Sequence, residues 1–346
     1  MNRNALFAAL PDFSARIMRH TVTSDLKIRW EVFCSESRLK PLRLDEGMSE
    51  LHAEDELRLQ QGFATLTSNH RDLWFGVGLR YQSFKYGTLG LAMMTARTLA
   101  EALDVAARYQ ALTYSLINYR FASAPNGACA LIGDTEGLFA DLRDFSYHRD
   151  LGAIKTLITD LTAGIPVLDR VRIAAPPPCN WEAVKAHFTC PVEFDADQTQ
   201  WIFVPGSAGR QLPWGDADSE ILYRSLCEQQ LDKAQANASI TQRLVTLLNA
   251  NDGHVLTAGE AARQLALSAR SLHRRLAEEG TLFSTIADEA RYRRARALLA
   301  DRNRTIDAIS FAMGFAEPSS FSRAFKRWSG TSAIEFRRHL IDGHGR

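Results

Sequence analysis

A chain of 346 residues with 46% hydrophobic and 23% charged residues has room for two domains and an ordinary globular composition, which excludes disordered and fibrous classes. Its formal net charge of +1 conceals a division: residues 240–346 carry 17 Lys+Arg against 11 Asp+Glu, whereas residues 1–239 carry 24 against 29. Such a split suits one part to a polyanion and leaves the other without that preference.

Residues 1–50 are weakly patterned, and the stretch 28–34 (Ile-Arg-Trp-Glu-Val-Phe-Cys) fits either a strand or a helix. Leu51, Leu57, Phe63 and Leu66 sit loosely at helical spacing. Residues 72–81 are aromatic and aliphatic with Gly76 and Gly78, which reads as a strand and its exit. Thr98 and Glu101 form a capping box, followed by an amphipathic helix through Leu99, Leu103, Ala106 and Leu112. Residues 114–121 are rich in aromatic and β-branched types, and Asn126-Gly127 marks a hairpin before a second strand at 128–132. Leu151, Ile154, Ile158 and Leu161 predict a helix stopped by Gly164 and Pro166. A strand at 167–174, a short helix capped by Asn180, and strands at 192–194 and 201–204 complete a mixed series. Strands, hairpins and helices in this order predict an α+β domain.

Residues 205–218 hold two Pro and three Gly and read as the exit from that domain. Two helices follow, 220–233 and 240–248, the second ended by Asn251-Asp252-Gly253. The expected division is therefore an α+β domain at 1–215, to which the resemblance named below assigns effector binding and dimerisation, a helical linker at 216–253, and an all-α domain at 254–346 with two helix-turn-helix units.

The last domain is read from an internal repeat. Leu265 and Leu267 fall on Met313 and Phe315 at an offset of 48, while Leu272, Arg274 and Leu276 fall on Phe321, Arg323 and Phe325 at 49. Gly280 falls on Gly330 at 50. Each unit is a short helix, a tight turn and a second helix with a basic outer face, the build of a DNA-reading module. Thr257 and Glu260 form a capping box at its start, and Ser268 is placed to cap the helix in which Leu272 and Leu276 face inward. Arg270, His273 and Arg274 share the opposite face, from which an arginine can fork onto guanine. In the second unit Gly314 permits the turn, Pro318 suits a first helical turn, and Phe321 and Phe325 face inward. Ser319, Ser320, Ser322, Arg323, Lys326 and Arg327 are left outward. A helix over 288–301, carrying Arg291, Arg293, Arg294 and Arg296, joins the units; those arginines read equally well as a solvated face or as phosphate contacts. Two successive major grooves on one face of DNA lie ~34 Å apart, and a doubled unit on one rigid helix meets that demand.

Residues 254–340 resemble the DNA-binding domain of the AraC/XylS family of bacterial transcription regulators, through Gly314-Phe315, the run Ser320-Phe321-Ser322-Arg323-Ala324-Phe325-Lys326-Arg327-Trp328, and Gly330. A looser similarity over roughly residues 50–235 joins the chain to the branch with an arabinose-binding-like N-terminal domain. It rests on Gly87-Thr-Leu-Gly-Leu-Ala, Thr98-Leu-Ala-Glu-Ala-Leu, Ala107-Arg-Tyr109 and Phe188-Thr-Cys-Pro-Val-Glu-Phe-Asp195. The resemblance implies that Arg270, His273 and Arg274 read one groove and that Pro318, Ser319 and Arg323 read the next. Ser268, Ser271, Ser320, Ser322, Lys326 and Arg327 are the expected phosphate contacts. Three positions depart from the family pattern. Ala266 stands where a turn glycine is usual, which implies a reshaped turn; Ala316 lacks a capping hydroxyl; and Ala333 replaces a proline, which leaves the last helix start less fixed.

The expectation is thus a sequence-specific, double-stranded-DNA-binding regulator, a ligand-responsive activator and homodimer with RNA polymerase as a candidate partner. Arg80, Tyr81, Tyr114, Asn118 and Tyr119 are the candidate lining of a pocket for a small effector of unidentified kind. Two alternatives stand beside it: an effector-free regulator whose first domain only dimerises or meets a protein, and a catalytic or damage-sensing domain on a DNA-binding tail. No nucleophile elbow or phosphate loop is present, and Cys179, His187 and Cys190 lack a fourth ligand at zinc spacing, so neither catalysis, cofactor nor metal is expected. The five cysteines, including Cys34, Cys129 and Cys227, form no Cys-x-x-Cys and read as reduced thiols of a cytoplasmic protein. The apolar run 5–10 is too short for a signal segment, and no run approaches the ~18 apolar residues of a membrane span.

Overall fold

The structure, a computed structural model, describes residues 9–37, 39, 44, 49–124, 127–135, 138, 140–250, 256–300 and 304–342. It divides into two units, Met1–Ala236 and Asn237–Arg346. In the first, a short antiparallel pair, β1 (Leu10–Pro11) and β2 (Glu50–Leu51), frames α1 (Phe13–His20) and α2 (Trp30–Glu36). Helices α3 (Ala53–Leu66), α4 (Leu73–Leu79), α5 (Gly87–Thr95) and α6 (Leu99–Arg108) follow. The hairpin β3 (Asn118–Ser123) and β4 (Cys129–Asp134) leads into α7 (Ala140–Leu161). Then come β5 (Leu168–Arg172), α8 (Trp181–Lys185), β6 (Val192–Glu193), β7 (Thr199–Phe203) and α9 (Ala217–Asn237). The five strands β3 to β7 form one sheet in the order β3-β4-β7-β5-β6, antiparallel except for β5 beside β6. Period-two alternation turns Cys129 and Leu131 of β4, and Thr199, Trp201 and Phe203 of β7, into the core.

The α+β expectation holds, with two local corrections and one open reading resolved. Residues 72–81 form a helix, not a strand. Gly78 of this helix and Gly152 of α7 let two backbones meet: a Cβ on Gly78 would stand 2.0 Å from the Arg149 carbonyl oxygen, and one on Gly152 2.3 Å from that of Phe75, whereas one on Gly76 would meet nothing within 4 Å. Helices α4 and α7 cross at these two positions, so the glycines mark a helix contact. Residues 28–34 resolve as the helix α2. The amphipathic helix after Thr98 ends at Arg108, and Leu112 closes a separate 3-10 turn. The Thr98–Glu101 capping box forms as expected. The hairpin pairs Ser123 with Cys129; Asn126 lies outside the described residues, and Gly127 takes φ 78°.

Helix α7 starts well before the apolar stripe that predicts it. From Phe145 to Ile154 it has no exposed residue, though Ser146, His148, Arg149 and Asp150 are polar. It packs against α3, α4 and α5.

The second unit contains α10 (Ile240–Ala250), α11 (Ala258–Gln264), α12 (Ala269–Glu278), α13 (Phe283–Ala300), α14 (Ile306–Ala312), α15 (Pro318–Ser329) and α16 (Ala333–Asp342). The proposed stop at Asn251-Asp252-Gly253 lies outside the described residues. Two small cores form. Leu244, Leu265, Leu272 and Leu276 pack with Phe283 and Ile286 of α13, while Ile309, Met313, Phe321 and Phe325 pack with its Ala295 and Leu299. One helix therefore belongs to both helix-turn-helix units.

The repeat extends to the hydrogen bonds of the turns. After α11, Leu267 N donates to Ala262 O (2.8 Å) and Ala266 N to Arg263 O (3.1 Å); after α14, Phe315 N donates to Ser310 O (3.1 Å) and Gly314 N to Phe311 O (2.9 Å). Each is a Schellman closure, with an apolar residue plugging the core behind it. The pattern demands a left-handed residue. Gly314 supplies φ 79°, and Ala266 is held at φ 57°. Ala266 thus leaves the turn unreshaped and carries strain instead, of about 1–2 kcal/mol. At α15 the cap position is Glu317, not Ala316, and its side chain makes no capping bond. The start of α16 is secured without proline, because Ser332 Oγ accepts from Glu335 N (3.2 Å) while the Glu335 carboxylate accepts from Ser332 N (3.0 Å).

Ala266→Gly relieves the strained turn and should stabilise the second unit by about 0.5–1 kcal/mol after the entropy cost of glycine, while Gly314→Ala, with nothing within 4 Å of its Cβ, should destabilise it by about 1–2 kcal/mol. Urea melts followed by amide exchange in 256–342 read both. Gly78→Ala forces α4 off α7 and should cost the first unit about 1–3 kcal/mol, measured in the same way.

Candidate nucleic-acid interface and the pocket of the first unit

Helix α12 is a strongly two-faced helix. Ser268 caps it, accepting from Ser271 N at 3.1 Å, and its Oγ lies 2.9 Å from that of Ser271. Leu272 and Leu276 are buried, and Arg270, His273 and Arg274 are exposed together on the far side. The His273 ring stands edge-on to Phe283 at 6.4 Å, and Arg274 lies 3.7 Å from Glu278 one turn on. In α15, Phe321 and Phe325 are buried, Ser319, Ser322, Arg323, Lys326 and Arg327 are exposed, and Pro318 and Ser320 are half-buried.

Local partners occupy several of these groups. Ser322 Oγ donates to Pro318 O (3.0 Å), Ser319 Oγ to Glu317 (3.3 Å) and Arg323 Nη2 to Ser320 Oγ (3.3 Å). Arg327 pairs with Asp288 of α13 at 3.2 Å, and the same carboxylate holds Arg291 at 3.0 Å. Exposed pairs of this kind contribute roughly 0–1 kcal/mol and are screened by salt, so a phosphate can displace them cheaply. Arg294 is half-buried, and the side chains of Arg293 and Arg296 lie outside the described residues. The carboxylate of Glu279, just past α12, accepts from Ile240 N and Thr241 N at 2.9 Å each and so fastens the start of α10 to the end of this helix.

The first unit contains a partly open pocket between α5, α6, α7 and the start of the sheet, about 560 Å³ when the solvent-filled mouth is included. Tyr81, Tyr114 and Tyr119 line it; Arg80 and Asn118 do not. Arg80 turns instead to Thr21 Oγ1 (3.0 Å) and Asp25 (3.8 Å), and Asn118 lies half-buried at the start of β3, opposite Asp134. Gly133 makes room for Tyr119, since a Cβ there would meet the phenol ring at 2.8 Å.

Sequence reasoning missed the charged floor of this pocket. Arg149 is 1% exposed, with Nη1 donating to Gln60 Oε1 (3.1 Å) and Tyr114 O (2.9 Å), and Nε 2.6 Å from Asp150. Asp150 also accepts from Ser115 Oγ at 2.6 Å. Behind Arg149, Glu56 accepts from Ser14 Oγ (2.6 Å) and Gln60 Nε2 (2.7 Å). Burial opposes the charge on Arg149, but Asp150 and the nearby phenols hold its pKa above the ordinary value. Burial also dominates Glu56 and raises its carboxyl, against its hydrogen bonds and the Arg149 charge. Tyr81 is pushed up to about 12 by burial, and burial raises Tyr86, Tyr114 and Tyr119 as well. The available signal was Glu56 and Gln60 one helical turn apart, with an Arg-Asp pair running directly into an aliphatic helix. Among the described residues no group of His, Cys, Asp or Glu is placed to hold a metal ion, and no helix is long and apolar enough to cross a membrane.

Comparison with known proteins adds the following. Residues 29–212 match the family described as the arabinose-binding domain of AraC transcription regulator, N-terminal, and residues 261–339 match a helix-turn-helix domain. An uncharacterized HTH-type transcriptional regulator of Mycobacterium tuberculosis is 27% identical over 304 residues, 87% of this chain and 88% of that protein. The ornithine utilization regulator of Pseudomonas aeruginosa is 29% identical over 278 residues, 75% of this chain and 77% of that protein. The crystal structure of the transcriptional regulator CdpR from Pseudomonas aeruginosa aligns over 94% of this chain and 98% of that one, with 22% identity and a TM-score of 0.44.

The raised Glu56 carboxyl has a measurable consequence. The folded state binds its proton more tightly than the unfolded chain does, so the contribution of this one group to stability is greatest at low pH. It falls by about 1.4 kcal/mol per pH unit as pH rises from the ordinary carboxyl range to the raised value. Glu56→Gln keeps the acceptor for Ser14 and Gln60 and should remove this loss, so that the variant gains on the parent in thermal melts as pH increases from 4 to 8.

Proposed function

The chain belongs to the AraC family of helix-turn-helix transcription regulators, and from that premise we propose that it is a ligand-responsive activator that reads two successive major grooves. The observation that carries the double reading is the shared helix α13, whose two ends lie in the cores of the two units. Arg270, His273 and Arg274 read base edges in one groove, and Pro318, Ser319 and Arg323 in the next. Ser268, Ser271, Ser320, Ser322, Lys326 and Arg327 hold phosphates, Arg327 exchanging Asp288 for the backbone. Base contacts set the sequence preference and phosphate contacts set the register and salt dependence.

In the same reading the tyrosine-lined pocket holds the effector, and no catalytic step is involved. The relative named for ornithine utilization supports response to a small metabolite. Work on DNA places the protein in the cytoplasm, with RNA polymerase as the contact through which activation proceeds. The exposed Ile221 and Leu222 of α9, 67% and 55% accessible, support a homodimer.

Operator selection from a random duplex pool, followed by titration of variants, tests the reading. Arg274→Ala and Arg323→Ala should each relax preference at a few base pairs in separate grooves, by about 1–3 kcal/mol of discrimination. Lys326→Ala should weaken all sequences alike and lower the salt slope by about 0.9. Unchanged base preference in Arg323→Ala would remove the assignment of the second reading face.

A further inference from the structure

The repeat makes the two recognition helices comparable position by position, and they differ at the N-terminal end, which in such modules meets base edges. At the offset of 49, Ser268 falls on Glu317, Arg270 on Ser319, Ser271 on Ser320 and Arg274 on Arg323. Ser268 works as a cap, its hydroxyl accepting from Ser271 N at 3.1 Å. Glu317 holds the cap position of α15 and does not cap; the equivalent Ser320 N turns to the Glu317 carbonyl oxygen at 3.1 Å. Its exposed carboxylate takes the Ser319 hydroxyl at 3.3 Å and, among the described residues, pairs with no cation. Glutamate is outside the residue types favoured at a cap, so the helix does not explain its presence.

The tip of α15 therefore presents acceptors alone. An ionised carboxylate has no donor, Pro318 has no N–H, and the hydroxyl hydrogen of Ser319 is directed at Glu317. An unpaired anion carried to DNA is repelled by the phosphates, so this carboxylate weakens binding to every sequence unless a base-edge donor meets it. The major groove offers two such donors, cytosine N4 and adenine N6. Adenine N6 lies between two acceptors, its own N7 and O4 of the paired thymine, and both repel a carboxylate. Cytosine N4 is open on the side of C5. The first helix has the opposite chemistry at its tip, where the Arg270 guanidinium presents donors alone.

Resting on the reading of α15 as the helix in the second groove, we propose that Glu317 reads a base, its carboxylate accepting the groove-facing N4 hydrogen of a cytosine. The two half-sites are then chemically unlike, one selected by donors and the other by acceptors, and the module sits on its operator in one orientation.

Operator selection with the full chain, followed by titration of single-base variants, tests this. Wild type should prefer cytosine at one position of the second half-site, by about 5- to 150-fold over the other bases. Glu317→Ala should lose that preference and keep those set by Arg274 and Arg323. Glu317→Gln should shift it toward adenine, whose N6 and N7 suit an amide. N4-methylcytosine, in which a methyl group replaces the groove-facing hydrogen, should weaken wild type at that position and leave Glu317→Ala indifferent. Should Glu317→Ala loosen α15 in amide exchange, the shift in Glu317→Gln decides. A Glu317→Ala variant that binds all sequences more tightly or more weakly with no change of preference overturns the proposal, because the carboxylate then acts only through its charge at the helix end. Loss of a preference for any base other than cytosine overturns it as well. Arg323→Ala separates the two readings: if it shifts a base preference and Glu317→Ala shifts none, the second reading face stands without Glu317, and if neither shifts one, the face itself falls.

Discussion

A guanidinium buried to 1% exposure sets the terms for the first unit. Left alone in a low-dielectric interior it would be intolerable, and breaking such a pair by removing one partner costs about 3–5 kcal/mol. Two of its partners come from distant parts of the chain, Gln60 from α3 and the Tyr114 carbonyl from the segment before β3, and a third, Asp150, from the next position of α7. These groups converge only because α7 is covered on all sides at this level, and α4 can cover it closely only because Gly78 and Gly152 let the backbones touch. The pocket is the space left where that polar cluster ends and the tyrosine rings begin.

The second unit rests on a different constraint, the left-handed residue that closes each Schellman turn. The turn fixes the angle at which a recognition helix leaves its support helix, and the apolar residue after it (Leu267 or Phe315) anchors the geometry in the core. One unit uses glycine and the other accepts a strained alanine, so the same backbone is reached at different cost. That the first helix-turn-helix keeps the conformation despite Ala266 indicates that its core and two turn hydrogen bonds outweigh the strain. The Glu279 clasp on α10 adds a second restraint at the far end of α12.

Legibility in the sequence tracks how local the determining physics is. Both capping boxes, the Ser268 cap, the Asn126-Gly127 hairpin signal and the inward Leu272, Leu276, Phe321 and Phe325 depend on neighbours within a turn or two, and all were readable. The helix at 73–79 was misread because a glycine needed for contact with another helix looks, in one dimension, like a glycine needed for a strand exit. Likewise Ser146, His148, Arg149 and Asp150 disguised the buried half of α7 as a polar segment, since the partners of the last three (Pro176 O, Gln60 with Tyr114 O, and Ser115) lie far away in the chain. Three of the pocket tyrosines were found from aromatic density alone. Arg149, the group that gives the pocket its chemistry, has no local signature, because its burial is a property of the assembled fold.

The junction between the units constrains how an effector can act. Helix α9 belongs to the first core through the fully buried Cys227, with Tyr109 donating to Glu228 at 2.9 Å, whereas α10 belongs to the second through Ile240 and Leu244. These helices are consecutive, and residues 238–239 alone separate them. Under the proposed reading, a ligand between α6 and α7 would act on α6, at whose end Tyr109 holds Glu228 of α9, and the chain of α9 runs on into α10 through residues 238–239. Continuity of chain is not by itself coupling: the ligand shifts DNA affinity only by the difference in its own affinity for the two states of that junction. Moving an equilibrium from one part in a hundred to its converse takes roughly 5.5 kcal/mol of such difference. A single hydrogen bond contributes about 0.5–1.5 kcal/mol and falls short of that, so under the proposed reading most of the difference would have to come from buried apolar area.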